Sequence, residues 1–149
     1  HYSRWRGGWR IMASGNQASW VKTSRPTDSP ESYWQYLEMV FRYAGTLTLS
    51  RELKPVEFGQ MEAGDVLIQG GSPGHAVIVA DMARDTSTGQ AYFLLAQSYM
   101  PAQEIHILNN PLRPDISPWY SLDNSERIDT PEWNFLPSDL RRFPAQAGR

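Results

Sequence analysis

The chain has 149 residues, the length of one ordinary domain and enough to bury a single substantial core. Hydrophobic residues make up 40% and charged residues 20%, a globular balance, and no run approaches the roughly eighteen apolar residues of a membrane-spanning helix. A net charge of −2, from 14 basic and 16 acidic residues, offers no basic excess to displace counterions from nucleic acid. The absence of cysteine excludes disulfide frameworks, zinc-thiolate sites and cysteine nucleophiles from this chain.

The opening "HYSRWRGGWR" is locally basic, with Arg4, Arg6 and Arg10 set between Trp5 and Trp9. Such a segment either clasps an anionic glycan or packs arginine stems over indoles at a surface. "TSRPTDSPES" is turn-rich and delivers the chain to a helix. Ser29 is its predicted N-cap, Pro30 takes the first helical position, and Ser32 sits in the first turn. Tyr33, Tyr36, Leu37, Val40, Phe41 and Ala44 recur at three- and four-residue steps, so the helix has an apolar face, and Gly45 ends it.

"TLTLSRELKPVEFGQMEAGD" reads as a connector with a short strand or turn. "DVLIQ" then predicts a strand, "GGSPG" a turn and "HAVIVADMA" a second strand. "AYFLLAQSYM" and "AQEIHILNN" predict a third and a fourth. The segment from Asn109 is irregular and punctuated by proline, with two short elements around "EWNFL" and "SDLRRF". One helix followed by hairpin-linked strands implies a single α+β domain over residues 1–143, a helix packed on an antiparallel sheet, with 144–149 a loose tail.

"YLEMVFRYAGTLTLSREL", "GDVLIQGGSPGHAVIVADM" and "FLLAQSYMPAQEIHIL" resemble the bacterial family known as domain of unknown function 4846, from about Tyr2 to Phe143. Members of that family are longer on the amino-terminal side, so the resemblance implies that this chain is the carboxy-terminal part of a longer protein. The order of helix, "AG" turn, "GD" strand, glycine-rich turn and "GH" strand is also similar to the NlpC-type cell-wall peptidases, compact relatives of papain. There a cysteine near the helix start attacks an amide, a histidine is its base, and a polar residue on the next strand orients the histidine. That likeness places the base on His75, the "GD" on Gly64 and Asp65, the orienting residue near Gln97, and the nucleophile on Ser32 or Tyr33. The pattern departs at the nucleophile, because neither of these is cysteine.

On these grounds the expected fold is a reduced papain-like arrangement. The expected function is a hydrolase-like protein acting on an amide or ester bond, in cell-wall material, without a cofactor. His75 would be the base, since imidazole titrates near neutral pH. Ser32 would supply a hydroxyl at a helix N-terminus, or merely support the helix start. Gln97 lies in an otherwise apolar strand, so it needs a polar partner, with His75 across the sheet the natural one, or else faces solvent at the strand's end. The alternative from another class is an inactive binding module that recognises a glycan, peptide or small molecule through Tyr33, Trp34, Trp119 and Tyr120. The pair in "ISPWY" reads either as exposed or as two anchors pinning a loop to the sheet. A third reading takes His75 and His106, with Asp65 or Asp81, as a metal site, against His106 as a structural residue. A free His1 terminus would add a chelating amine and ring.

Overall fold

The computed structural model describes residues 1–15, 17–123 and 126–144; of the expected loose tail, residues 145–149 lie outside the described residues. The chain forms two compact units, His1–Gly45 and Thr46–Arg149.

The first unit holds a short helix α1 (Tyr2–Arg6), an antiparallel hairpin of β1 (Trp9–Ser14) and β2 (Gln17–Lys22), and the helix α2 (Pro30–Tyr43). The start of α2 follows its sequence signals. The Ser29 hydroxyl accepts from Ser32 N at 3.2 Å, and Pro30 opens the helix where its missing N–H costs nothing. Trp5 is the buried centre of the unit. Its indole Nε1 donates to Ser32 O at 2.9 Å and to Ser32 Oγ at 3.1 Å, and the Arg10 guanidinium lies 3.9 Å over its ring. Within the basic opening, Arg10 is thus packed over an indole. The periodic face of α2 is only partly covered, for Phe41 is 72% exposed.

The second unit begins with a difference from the sequence reading. Residues expected as a connector form the helix α3 (Thr46–Glu52), followed by a short strand β3 (Lys54–Pro55) and a 3-10 turn at Phe58–Gln60. The β-branched Thr46 and Thr48 weaken the local helical signal. What stabilises α3 is tertiary: Leu49 and Leu53, one turn apart, pack with Val66 and Ile68 of the next strand.

The strands are β4 (Val66–Gln69), β5 (His75–Arg84), β6 (Ala91–Gln97), β7 (His106–Ile107), β8 (Tyr120–Ser121), β9 (Ile128–Asp129), β10 (Asn134–Phe135) and β11 (Leu140–Arg142). A seven-stranded antiparallel sheet runs in the order β3-β11-β4-β5-β6-β7, with β8 also paired to β6. β9 and β10 form a separate hairpin. The α+β class with an antiparallel sheet is therefore observed. β4 reads as a continuous apolar run because both faces are covered: Val66 and Ile68 meet α3, while Leu67 meets the main core.

That core comprises Leu67, Val77, Val79, Phe93, Leu95, Leu108, Tyr120, Phe135 and Leu140 with their neighbours. In β5 alternate residues point inward until a bulge between Val79 and Asp81 inserts one residue. The bulge resets the alternation, so Met82 rather than Asp81 packs against the core opposite Phe93.

One buried charge ties β11 to the start of β4. Asp65 is 1% exposed, and Arg142 meets it with a fork: Nε to Oδ1 at 2.6 Å and Nη2 to Oδ2 at 2.8 Å. Arg142 also donates to Gln60 O at 2.8 Å and pairs with Glu62 at 3.0 Å. The hydrogen bond to Asp65 drives the Arg142 pKa still higher than its ordinary value. Gly64 before it adopts φ 94°, a left-handed conformation that favours glycine.

The turn between β4 and β5 is packed against α3. A Cβ added at Gly70 would strike Ser50 Oγ, and one at Gly74 would strike Thr46 Oγ1 and lie 2.7 Å and 2.8 Å from the Gly71 backbone. These two positions let helix and turn touch, which fixes where His75 begins its strand.

Two stability predictions follow from these contacts. Arg142→Leu strands a buried carboxylate, whereas Asp65→Asn leaves a cation that reaches water; the first therefore lowers the thermal midpoint more than the second. Combining the two substitutions recovers part of the loss from Arg142→Leu alone, measurable as a double-mutant cycle by thermal denaturation. Gly74→Ala costs about 1–3 kcal/mol through overpacking against backbone. Gly59→Ala, where a Cβ meets nothing within 4 Å, is the control and leaves the midpoint nearly unchanged.

Candidate functional site

The inner face of the sheet changes character at one end. Along β4, β5 and β6 the inward positions are Leu67, Val77, Val79, Phe93 and Leu95, all buried and apolar. The same faces continue into Gln69, His75 and Gln97. Gln69 and His75 are direct partners in the β4–β5 register. Three polar side chains thus close the apolar layer, and each has to find partners there.

Gln97 is 3% exposed, and its amide is satisfied at both ends. His75 Nε2 lies 2.6 Å from Gln97 Oε1, and Gln97 Nε2 donates to Glu132 Oε2 at 2.8 Å. An amide oxygen only accepts, so His75 Nε2 carries the hydrogen of that bond and Nδ1 keeps its lone pair. Nδ1 has no hydrogen-bond partner among the described residues. Gln69 forms a parallel arrangement. Its Nε2 donates to Asp139 Oδ2 at 2.7 Å and to Asn134 O at 3.0 Å, while its Oε1 accepts from Trp133 Nε1 at 2.9 Å.

Aromatic rings surround the imidazole. Tyr99 meets it edge-on at 5.2 Å, Trp133 lies tilted at 5.4 Å, and Phe135 is stacked at 6.1 Å. His75 itself is half-buried and lines a cavity of about 390 Å³ together with Pro73, Gly74, Tyr99, Met100, Gln103 and Trp133. The walls are apolar, aromatic or neutral, which suits an uncharged ligand group.

Glu132 and Trp133 come from the turn Thr130–Trp133 that joins β9 to β10. The Thr130 hydroxyl accepts from Trp133 N at 3.1 Å and donates to Trp133 O at 2.7 Å, and Thr130 N donates to the same carbonyl at 2.8 Å. Pro131 occupies the second position of this turn, where its fixed φ is favourable. Neither residue is singled out by the sequence. The "TPEW" pattern signals a turn, but a partner 35 residues away leaves no local mark. Gln69 carried a readable signal, as a polar residue at an inward position of an apolar strand.

The other expected site residues belong to other parts of the chain. Ser32 belongs to the first unit, is 5% exposed, and its hydroxyl is held by the Trp5 indole. Tyr33 and Trp34 belong to that unit too and are 47% and 60% exposed; Tyr33 packs with Tyr2 and Tyr36. Trp119 is half-buried and lines a different cavity of about 600 Å³ with Arg84, Asp85 and Tyr92, at the far end of the β5–β6 hairpin. That larger hollow contains no histidine. Tyr120 corrects the expectation of an exposed ligand contact. It is 4% exposed, stacks on Phe93 at 5.5 Å and donates its hydroxyl to Asn109 O at 2.6 Å. Burial pushes its phenol above the usual tyrosine range. It is the loop anchor of the two readings.

His106 is exposed, with Nδ1 3.0 Å from Glu104 O. Asp65 is committed to Arg142, and Asp81 accepts from Met82 N at 2.8 Å. Among the described residues no group of three or more His, Asp or Glu side chains is arranged to hold a metal ion. No described helix is long and apolar enough to cross a membrane.

Comparison with known proteins gives one positive result. No curated protein and no solved structure matches the chain. Residues 1–142 match the family described as Domain of unknown function (4846), and the chain belongs to that family.

Proposed function

We propose that this chain is a hydrolase-like protein acting on an amide or ester bond in a papain-like cleft, with His75 as its base. One observation carries the reading: the buried Gln97 amide meets His75 Nε2 at 2.6 Å, at the wall of a cavity of about 390 Å³, and so directs an unpartnered Nδ1 lone pair. That is the polarity a histidine base requires, with one ring nitrogen held by an orienting group and the other able to take a proton.

The chain contains no thiol, and a water is taken as the nucleophile in this reading. His75 Nδ1 takes a proton from it as the oxygen bonds to the carbonyl carbon, giving a tetrahedral intermediate. The imidazolium then returns the proton to the departing nitrogen or oxygen as that bond breaks, leaving an acid and an amine or alcohol. The neutral lining of the cavity favours an uncharged acyl portion. Cell-wall amides or esters are the substrate class that the likeness to NlpC-type peptidases suggests.

A second reading has its own support. Three aromatic rings within about 6 Å of His75 would grip a planar or sugar-like ligand without any reaction. Assays on a panel of neutral peptides, acyl amides and aryl esters separate the two. A hydrolase shows turnover that falls by about 10³-fold or more in His75→Ala, while circular dichroism and thermal midpoint stay close to wild type. Wild-type protein without turnover on the whole panel, but with ligand affinity lost in Trp133→Ala, decides for the binding module.

A further inference from the structure

A primary amide beside an imidazole is ambiguous. Turned one way it presents oxygen and demands an N–H; turned by half a rotation it presents N–H and demands a lone pair. In this site the choice decides which nitrogen of His75 is able to accept a proton. Gln97 is 3% exposed, so water does not settle its orientation. Glu132 does. A carboxylate only accepts, and its Oε2 lies 2.8 Å from Gln97 Nε2. Reversing the amide would set its oxygen against a carboxylate oxygen and break the hydrogen bond to Glu132, an expensive outcome for a buried group.

We propose that Glu132 is a positioning residue that fixes the tautomer of His75 through the Gln97 amide, placing the hydrogen on Nε2 and the lone pair on Nδ1. Glu132 touches no reacting atom and acts only through its neighbour. Its own placement is built in, because the Thr130 hydroxyl closes the turn that carries it. The adjacent Trp133 braces the other side of His75, tied by Nε1 to Gln69, whose amide is oriented in the same manner by Asp139. One turn therefore supplies the carboxylate on one side of the imidazole and the ring on the other. The catalytic consequence rests on the reading of His75 as a base; the tautomer itself is observable without any turnover.

The test is long-range 1H–15N correlation NMR of the histidine side chains in the full chain above the range where imidazole is protonated. His75→Ala identifies the signals. Wild-type protein is expected to show His75 protonated on Nε2, and a wild type protonated on Nδ1 overturns the proposal before any further variant is made. Glu132→Ala is expected to shift His75 toward a mixture of tautomers or to the Nδ1–H form, and Glu132→Gln, whose carbonyl still accepts from Gln97, to restore the wild-type pattern. An unchanged tautomer in Glu132→Ala overturns the assignment, as does a change that Glu132→Gln fails to rescue. Where a substrate is turned over, Glu132→Ala lowers kcat by about tenfold or more with KM little changed. A wild type with the Nε2–H form and no turnover supports the tautomer assignment while removing the hydrolase reading.

Discussion

A carboxylate exposed to 1% has to be met in full, and Asp65 is met by the Arg142 fork. The contact is separated by 77 residues along the chain, so it closes the second unit on itself. It holds β11 against β4, with Leu140 opposite Leu67, and between β4 and β3. Fixing β11 also fixes the stretch leading into it. That stretch carries Glu132, Trp133 and Asp139 across the end of the sheet where Gln69, His75 and Gln97 emerge. The polar site is thus set by an ion pair at which no site residue takes part.

The sheet supplies the second ingredient. Its inner layer is aliphatic and aromatic, and it ends in two glutamines flanking a histidine rather than in more apolar side chains. Polar groups at the margin of a core are tolerated only when every donor and acceptor is used. Each glutamine meets a carboxylate through nitrogen and an N–H through oxygen, so both amides are fully directed. No buried side-chain nitrogen or oxygen among the described residues lacks a partner. The unpartnered Nδ1 of the half-buried His75, beside the cavity, stands out against that background.

Much of this was legible from the sequence, and unevenly so. Strands β4, β5 and β6 announced themselves through apolar runs around "GGSPG", and the start of α2 through Ser29 and Pro30, because those signals are local. Gln97 was readable as needing a polar partner because it lies on an apolar strand, and His75 was offered as that partner through the likeness to NlpC-type peptidases. The helix α3 was not readable, since Thr46 and Thr48 weaken it locally and its support is tertiary, from Leu49 and the following Leu53 against β4 and from the turn packed on Thr46 and Ser50. Glu132 and Trp133 were invisible for a related reason: a turn residue reveals its turn, never the distant amide that it meets. Tyr120 misled because proline-rich surroundings resemble an exposed loop, while its ring stacks in the core on Phe93.

The bulge after Val79 has a consequence for how the molecule tolerates change. β4 pairs with His75–Ile78 only, on the near side of the inserted residue, whereas Asp81–Arg84 pair with β6 alone. The strand is in effect two segments with separate phase, one paired to β4 and joined to β6 from Ile78, and one paired to β6 alone. Length added or removed at the Asp85–Gln90 turn is taken up in the far segment and stops at the bulge. Tags, fusions or natural insertions belong at that tip, where the chain can be rewritten while the imidazole keeps its address.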